Sequence, residues 1–230
     1  MTDNSHMEFI FPPTIRGMKV KNETALFPIG KIYCVGKNYA AHAKEMGSEV
    51  DKKEPFFFSK PPQALTQLRE IPYPTKTNNL HHEVELVVFL HKGGANIVQE
   101  QVEDLIFGYA VGVDLTKRDL QNEFKEAGKP WDLSKGFDYS GPISEIIRRE
   151  KLLGDETITL KVNDELRQSS NISLMEWDIP SLISILSQQV TLKPGDVIFT
   201  GTPEGVGPIV KGDSIFAEIS NIGSLDFIIV

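Results

Sequence analysis

Two glutamates one residue apart, Glu83 and Glu85, stand in the run His81-His82-Glu83-Val84-Glu85-Leu86-Val87-Val88. In an extended strand, residues two apart share a face, so both carboxylates point one way while Val84 and Leu86 point the other. Like charges side by side on a strand repel each other. Either both face water or a cation holds them, and the apolar run that follows carries the strand toward the core. A third acid, Asp114, closes the apolar segment Gly108-Tyr109-Ala110-Val111-Gly112-Val113. By the same periodicity it shares a face with Gly112 and Ala110, whose small side chains leave room beside it. The alternative is an aspartate that caps the next helix. Three carboxylates with no cysteine nearby suit a hard divalent cation such as Mg²⁺ or Mn²⁺, which takes oxygen ligands and keeps positions for water and substrate. Spacing alone leaves the ordinary reading open, since most charged side chains lie on the surface.

Other residues invite similar paired readings. His42 and Glu45 stand at i, i+3 on a short helix and can meet there. A histidine oriented by a carboxylate can act as a general base, and an exposed amphipathic turn is the alternative. Arg118 and Gln121 repeat that spacing, where a solvated helix face is the default. Lys135 alone reads as a surface lysine. Cys34, in an apolar strand, reads as core, and Phe56-Phe57-Phe58 as strand and core. In Thr200-Gly201-Thr202-Pro203-Glu204-Gly205-Val206-Gly207, glycines permit close backbone approach to a small ligand and Thr202 offers a hydroxyl. A plain turn would look the same. No phosphate-binding loop or dinucleotide fingerprint is present.

These residues must be positioned by short elements, because apolar runs are broken throughout by 18 Gly and 14 Pro. Strands are expected at Ile32–Val35, Pro55–Ser59, His82–Leu90, Tyr109–Leu115, Val197–Thr200, Ser214–Ile219 and Leu225–Val230. Thr157–Val162 and Glu165–Ser169 flank Asn163-Asp164, a two-residue hairpin turn. A helix capped by Asn38 runs to about Met46 and stops at Gly47. A second, capped by Asp114 or Thr116, covers Thr116–Ala127. A third covers Pro180–Val190, and Gln99–Ile106 holds a helical turn or two. The order lacks regular βαβα alternation. It predicts a β-rich α+β fold, one catalytic domain over residues 8–230, with residues 8–55 as a small N-terminal portion. Residues 1–7 read as a tag or an unstructured start.

Composition narrows the class. Lys and Arg number 24 against 32 Asp and Glu, a net charge of −8, which argues against nucleic acid as a partner. No apolar run is long enough to span a membrane and the start has no apolar signal region. The single Cys excludes an internal disulfide and any multi-cysteine metal site. A cytoplasmic protein is expected.

Taken together, the motifs resemble the fumarylacetoacetate hydrolase family, in particular its short acylpyruvase-type members. They run in order as Gly36-Lys37-Asn38-Tyr39-Ala40-Ala41-His42, His81–Leu86, Asp114-Leu115-Thr116-Lys117-Arg118-Asp119-Leu120-Gln121, Lys129-Pro130-Trp131 with Lys135 beyond, Lys161-Val162-Asn163, and Gly195–Pro208. The resemblance implies a rolled mixed β-sheet with short peripheral helices, assembled as a homodimer. It implies Mg²⁺, or Mn²⁺, on Glu83, Glu85 and Asp114, and a lid helix carrying a His42–Glu45 dyad, with Gly36 and Gly47 as hinges. It implies Lys135 and Gln121 in catalysis, with Arg118 and Thr202 binding substrate. The implied reaction is hydrolysis of the C3–C4 bond of an acylpyruvate to pyruvate and a carboxylic acid. Oxaloacetate decarboxylation, keto–enol tautomerisation and 2-hydroxyhepta-2,4-diene-1,7-dioate isomerisation are chemistries of the same family. A noncatalytic metabolite-binding protein on the same scaffold is the reading from a different class.

Overall fold

The computed structural model describes residues 9–47, 49–149, 151 and 153–230; the reading of residues 1–7 as a tag lies outside them. The chain is strand-rich α+β with mixed sheets. A six-stranded sheet runs in the order Ile147–Arg148, Ile106–Val113, Val84–Leu90, Val197–Phe199, Ile32–Gly36, Phe56–Lys60. Its pairings are antiparallel except that of Val197–Phe199 with Ile32–Gly36, which is parallel. A five-stranded sheet orders Glu165–Asn171, Thr157–Val162, Ser214–Ile219, Gly223–Ile229 and Glu70–Ile71. A three-stranded sheet joins Thr116–Lys117, Leu80–His82 and Gly207–Ile209.

The Val84–Leu90 strand is buried along its whole length, and its two faces serve two cores. Val84, Leu86, Val88 and Leu90 join the larger apolar cluster, which also takes Ile158, Leu160, Ile215, Ala217 and Phe227 from the five-stranded sheet. Val87 and Phe89 join the smaller one with Met18, Phe27, Ile32, Cys34 and Phe199. Glu85, by its place in the alternation, falls on the second face. Packing on both sides therefore forces a buried carboxylate.

Several expectations need correction. The run His82–Leu90 is not one strand: Leu80–His82 belongs to the three-stranded sheet and Val84–Leu90 to the six-stranded one, with Glu83 at the seam. Gly112 does not leave a vacant space. A Cβ there would lie 2.5 Å from Val87 Cγ2 and 2.9 Å from Phe199 Cε1, so the glycine lets its neighbours close in. The helix predicted from Thr116 begins at Arg118, because Thr116 and Lys117 pair with Leu80 and His81 as strand. Neither Asp114 nor Thr116 caps it; its N-cap position is Lys117, with no side-chain cap bond.

Four α-helices are described. The first, α1, spans Ala40–Glu45 and lacks a side-chain cap. Asn38 does not cap it. Its amide is buried, donating to the carbonyls of Trp177 and Thr200 at 2.9 and 2.8 Å and accepting from Trp177 N–H at 2.8 Å. Helices α2 (Arg118–Glu126) and α3 (Asp132–Lys135) follow, and α4 (Ile179–Gln189) is capped by Asp178. The Asn163-Asp164 turn is as expected, with φ of 50° and 65° at its two residues, the left-handed values of a type I′ hairpin. Cys34 is buried. Phe56 is strand but not core: it is 46% exposed and its ring packs on Trp131 at 4.9 Å.

Candidate active site

The chain passes from one sheet to another at Glu83, and that crossing builds the site. Asp114 follows the neighbouring strand, and its backbone N–H donates to the Glu83 carbonyl at 2.8 Å. Carboxylate oxygens of Glu83, Glu85 and Asp114 come within 4.8 Å of one another, and all three residues are buried.

Three cations meet two of these acids. Lys135 Nζ lies 2.7 Å from Glu83 Oε2 and 2.8 Å from Asp114 Oδ2. Arg118 Nη2 pairs with Glu83 Oε1, and Lys60 Nζ lies 2.8 Å from Asp114 Oδ1. Burial alone would raise the Glu83 pKa, but Lys135 and Arg118 outweigh it and hold the carboxyl well below its ordinary range. In Lys135, burial opposes the charge, but Asp114 and Glu83 raise its pKa, so the ammonium persists.

Glu85 differs. Among the described residues, the hydrogen bond to its carboxylate is from the Gly201 N–H, donating at 2.7 Å. Burial, then Asp114 and Glu83, push its pKa well above the usual carboxylate range. The cluster is thus short of positive charge at Glu85. Asp114 Oδ1 also lacks a well-directed hydrogen bond, although Lys60 is close. Three oxygen donors and an uncompensated buried charge fit a hard divalent cation, and these residues could hold one.

Around this floor the other predicted residues converge. Residues His42, Glu83, Glu85, Arg118, Gln121, Lys135 and Thr202 all line one small cavity of about 30 Å³, room for about two waters. Asp114 lies beneath it. The solvated-face reading of Arg118 and Gln121 fails, since both are buried, as does the surface reading of Lys135. Arg118 Nη1 donates to Gln121 Oε1 at 2.5 Å, so the guanidinium links Gln121 to Glu83.

The short helix α1 lies across this cavity. His42 is buried, so the exposed-turn reading fails for it, and its Nδ1 faces Glu45 Oε2 at 3.4 Å. Burial lowers the His42 pKa against the pull of Glu83 and Glu45, which keeps the ring neutral near pH 7. Glu45 also accepts the Gly205 N–H at 3.1 and 3.2 Å. Gly205 has φ +87°, and a Cβ there would lie 2.0 Å from the Arg167 carbonyl oxygen. That loop is therefore pressed between α1 and the Glu165–Asn171 strand.

Two buried residues escaped the sequence reading. Lys60 closes the aromatic strand and also donates to Ser140 Oγ at 2.9 Å and to the Lys135 carbonyl. A lysine ending an apolar strand was the available signal. Gln168 is fully buried. Its Oε1 accepts from Val84 N–H at 3.0 Å and faces His82 Nδ1 at 3.0 Å. Its Nε2 donates to Thr202 Oγ1 at 2.8 Å and to the Pro203 carbonyl at 2.9 Å. One amide thus grips both neighbours of Glu83 and the loop bearing Thr202. No local pattern marks it, because Leu166 on the same strand is 57% exposed.

Comparison with known proteins identifies what the whole chain is similar to. Residues 31–230 match the family model described as Fumarylacetoacetate (FAA) hydrolase C-terminal. The chain is 45% identical over 193 residues to an oxaloacetate tautomerase of Escherichia coli (strain K12), covering 82% of this chain and 88% of that protein. It is 40% identical over 184 residues to a fumarylpyruvate hydrolase of a Ralstonia species, covering 78% of this chain and 96% of that one. The crystal structure of fumarylpyruvate hydrolase from Pseudomonas aeruginosa in complex with Mn²⁺ and pyruvate aligns at TM-score 0.94 and 40% identity, covering 97% of this chain and 99% of that chain.

Proposed function

The chain belongs to the fumarylacetoacetate hydrolase family, and on that premise we propose that it is a Mg²⁺-dependent hydrolase of acylpyruvates, yielding pyruvate and a carboxylic acid. One observation carries the reading: His42, with Glu45 behind its Nδ1, lines the same small cavity as Glu83 and Glu85, whose carboxylates cluster with that of Asp114. Residues 8–230 act in it as one catalytic unit, as a homodimer in the cytoplasm.

Glu83, Glu85 and Asp114 hold the divalent ion, which supplies Lewis-acid polarisation of the substrate's 2-oxo acid end. Thr202, on the loop fixed by Gln168, and Arg118 hold substrate oxygens. His42 takes a proton from water at Nε2, the ring nitrogen turned away from Glu45. The water oxygen bonds to C4, the C3–C4 bond breaks, and its electron pair stays on the pyruvate fragment as an enolate that is then protonated at C3. Lys135 and Gln121 stabilise the oxygen that gains charge at C4.

A second reading has its own support, the 45% identity to an oxaloacetate tautomerase. There His42 moves a proton between carbon and oxygen and no water attacks. The test offers purified protein with Mg²⁺ acetylpyruvate, fumarylpyruvate and oxaloacetate, with ultraviolet absorbance and product analysis. The hydrolase reading predicts pyruvate plus the matching acid from an acylpyruvate. Acylpyruvates left intact while oxaloacetate is tautomerised or decarboxylated would overturn it.

A further inference from the structure

Strand Leu80–His82 buries Leu80 and His82 on one face, so His81 stands on the other. Its ring is half-buried, is not part of the cavity lining, and has no place in the chemistry above. It reaches the cavity through Arg118. His81 lies opposite Thr116 in the pairing with Thr116–Lys117, and α2 begins at the next residue, Arg118. That register sets the imidazole against the guanidinium: Arg118 Nε donates to His81 Nδ1 at 3.4 Å.

The first turn of α2, which has no side-chain cap, is held instead by the segment before His81. The Asn79 carbonyl accepts the Arg118 backbone N–H at 2.9 Å. The Asp119 carboxylate accepts from Thr77 Oγ1 at 2.6 Å and from the Asn78 N–H at 2.9 Å. Asn79 Oδ1 faces His81 Nε2 at 3.0 Å. Residues 77–81 therefore set both the backbone and the side chain of Arg118.

One tautomer satisfies both contacts of the ring. A guanidinium has no acceptor, so its Nε–H must donate and His81 Nδ1 must accept. The ring proton is then on Nε2, where it meets the Asn79 oxygen. A proton on Nδ1 would set N–H against N–H.

A guanidinium carries five N–H groups. In Arg118 one goes from Nε to His81, one from Nη1 to Gln121 and one from Nη2 to Glu83. Each Nη keeps one N–H without a partner among the described residues. Two of the three partners have other work in the proposed reaction, Glu83 on the metal ion and Gln121 on a substrate oxygen. His81 has none, so its hold on the guanidinium persists when metal and substrate arrive.

We propose that His81, oriented by Asn79, is a positioning residue for Arg118: it fixes the guanidinium plane so that the remaining N–H of each Nη is presented to substrate oxygens. The proposal rests on the reading of Arg118 as a residue that binds substrate, and it names what aims it.

Two variants separate the two ring nitrogens. In His81→Asn the amide oxygen takes the place of Nδ1 and still accepts from Arg118, while the contact with Asn79 is lost. In His81→Gln the amide reaches the place of Nε2 and Arg118 loses its acceptor. The substrate is whichever of acetylpyruvate, fumarylpyruvate and oxaloacetate the wild type turns over. His81→Gln should raise KM about tenfold with kcat within about threefold, and His81→Asn should bring KM back to within about threefold of wild type. Mn²⁺ affinity should be unchanged in both. Equal KM values in the two variants, or a rise in KM that tracks a loss of Mn²⁺ affinity, would reduce His81 to a support for its strand and overturn the proposal.

A second measurement needs no turnover. Long-range ¹H–¹⁵N correlation spectra of the metal-free protein should show His81 protonated at Nε2 and bare at Nδ1; a proton on Nδ1 overturns the proposal. If the wild type turns over none of the three compounds, the activity reading fails by itself. The variants are then compared by calorimetric titration of the Mn²⁺-loaded protein with oxalate. Weaker binding in His81→Gln than in His81→Asn supports the positioning role, and equal dissociation constants overturn it.

Discussion

Lys60 holds Asp114 from below, its ammonium 2.8 Å from Oδ1 with both side chains at zero exposure. Removing one partner of a buried pair leaves the other uncompensated, which typically costs about 3–5 kcal/mol. Lys60→Met should destabilise the metal-free protein by about that amount in urea unfolding. A loss below about 1 kcal/mol would mean that Lys135 alone satisfies Asp114.

Glu85 should behave in the opposite way. It is the acid without a cation partner, and burial with its two acidic neighbours disfavours its charge. Glu85→Gln should raise the melting temperature of the metal-free protein while weakening Mn²⁺ binding by a factor on the order of a hundred. Equal Mn²⁺ affinity in the two proteins, measured by electron paramagnetic resonance, would remove Glu85 from the ligand set.

Gln168 sits one shell behind the carboxylates, bound to both neighbours of Glu83 and to Thr202. Gln168→Leu should weaken metal binding about tenfold or more. Gln168→Glu keeps the acceptor for Val84 but loses the donor to Thr202 and Pro203, so it should raise KM more than it weakens metal binding. Two variants with wild-type metal affinity and kinetics would reduce Gln168 to a packing residue.

His42→Ala should lower hydrolysis by about 10²–10⁴-fold while Mn²⁺ affinity stays near wild type. A parallel loss of metal would mean that the histidine sits among the ligands. With a pKa held below the ordinary value of 6.5, the acid limb of kcat/KM should lie below that pH.

Three histidines give the fold a pH signature. Burial lowers the pKa of His42 and His82, and with Arg118 it takes that of His81 down to about 4. Each is near 6.5 in the unfolded chain, so on acidification the unfolded state binds protons first. The contribution of each is complete above about pH 6.5 and is lost as pH falls below it, for His81 toward about 4. A His81→Gln variant should therefore lose less stability than wild type between pH 7 and pH 5; an equal or larger loss would contradict the shift.

Much of this was legible in the chain. Apolar runs bounded by turn residues located the main strands, and the Asn163-Asp164 turn followed from local chemistry. The Glu83–Glu85 pair stood out because a strand does not carry like charges side by side without a cause. What local pattern could not give was the environment at each position. Asn38 and Asp114 read as helix caps because short polar side chains before a helix usually are; tertiary contacts claimed both side chains. Arg118, Gln121 and Lys135 looked solvated because their partners are distant in sequence: Glu83 takes Arg118 and Lys135, Asp114 takes Lys135, and Gln121 is held through Arg118. The break at Glu83 was hidden because two adjoining strands of different sheets share one hydrophobic pattern.

The grip of Glu45 on the Gly205 amide has a kinetic consequence. Any outward swing of α1 frees that N–H to solvent. Hydrogen bonds to a charged acceptor are worth roughly 1.5–3 kcal/mol, and the swing would also expose the buried His42 and Ala43, so the swung-out form is a minor one. The hydrogen–deuterium exchange rate at Gly205 is then a direct count of how often the site opens, and a ligand that seals the cavity slows it in proportion to occupancy.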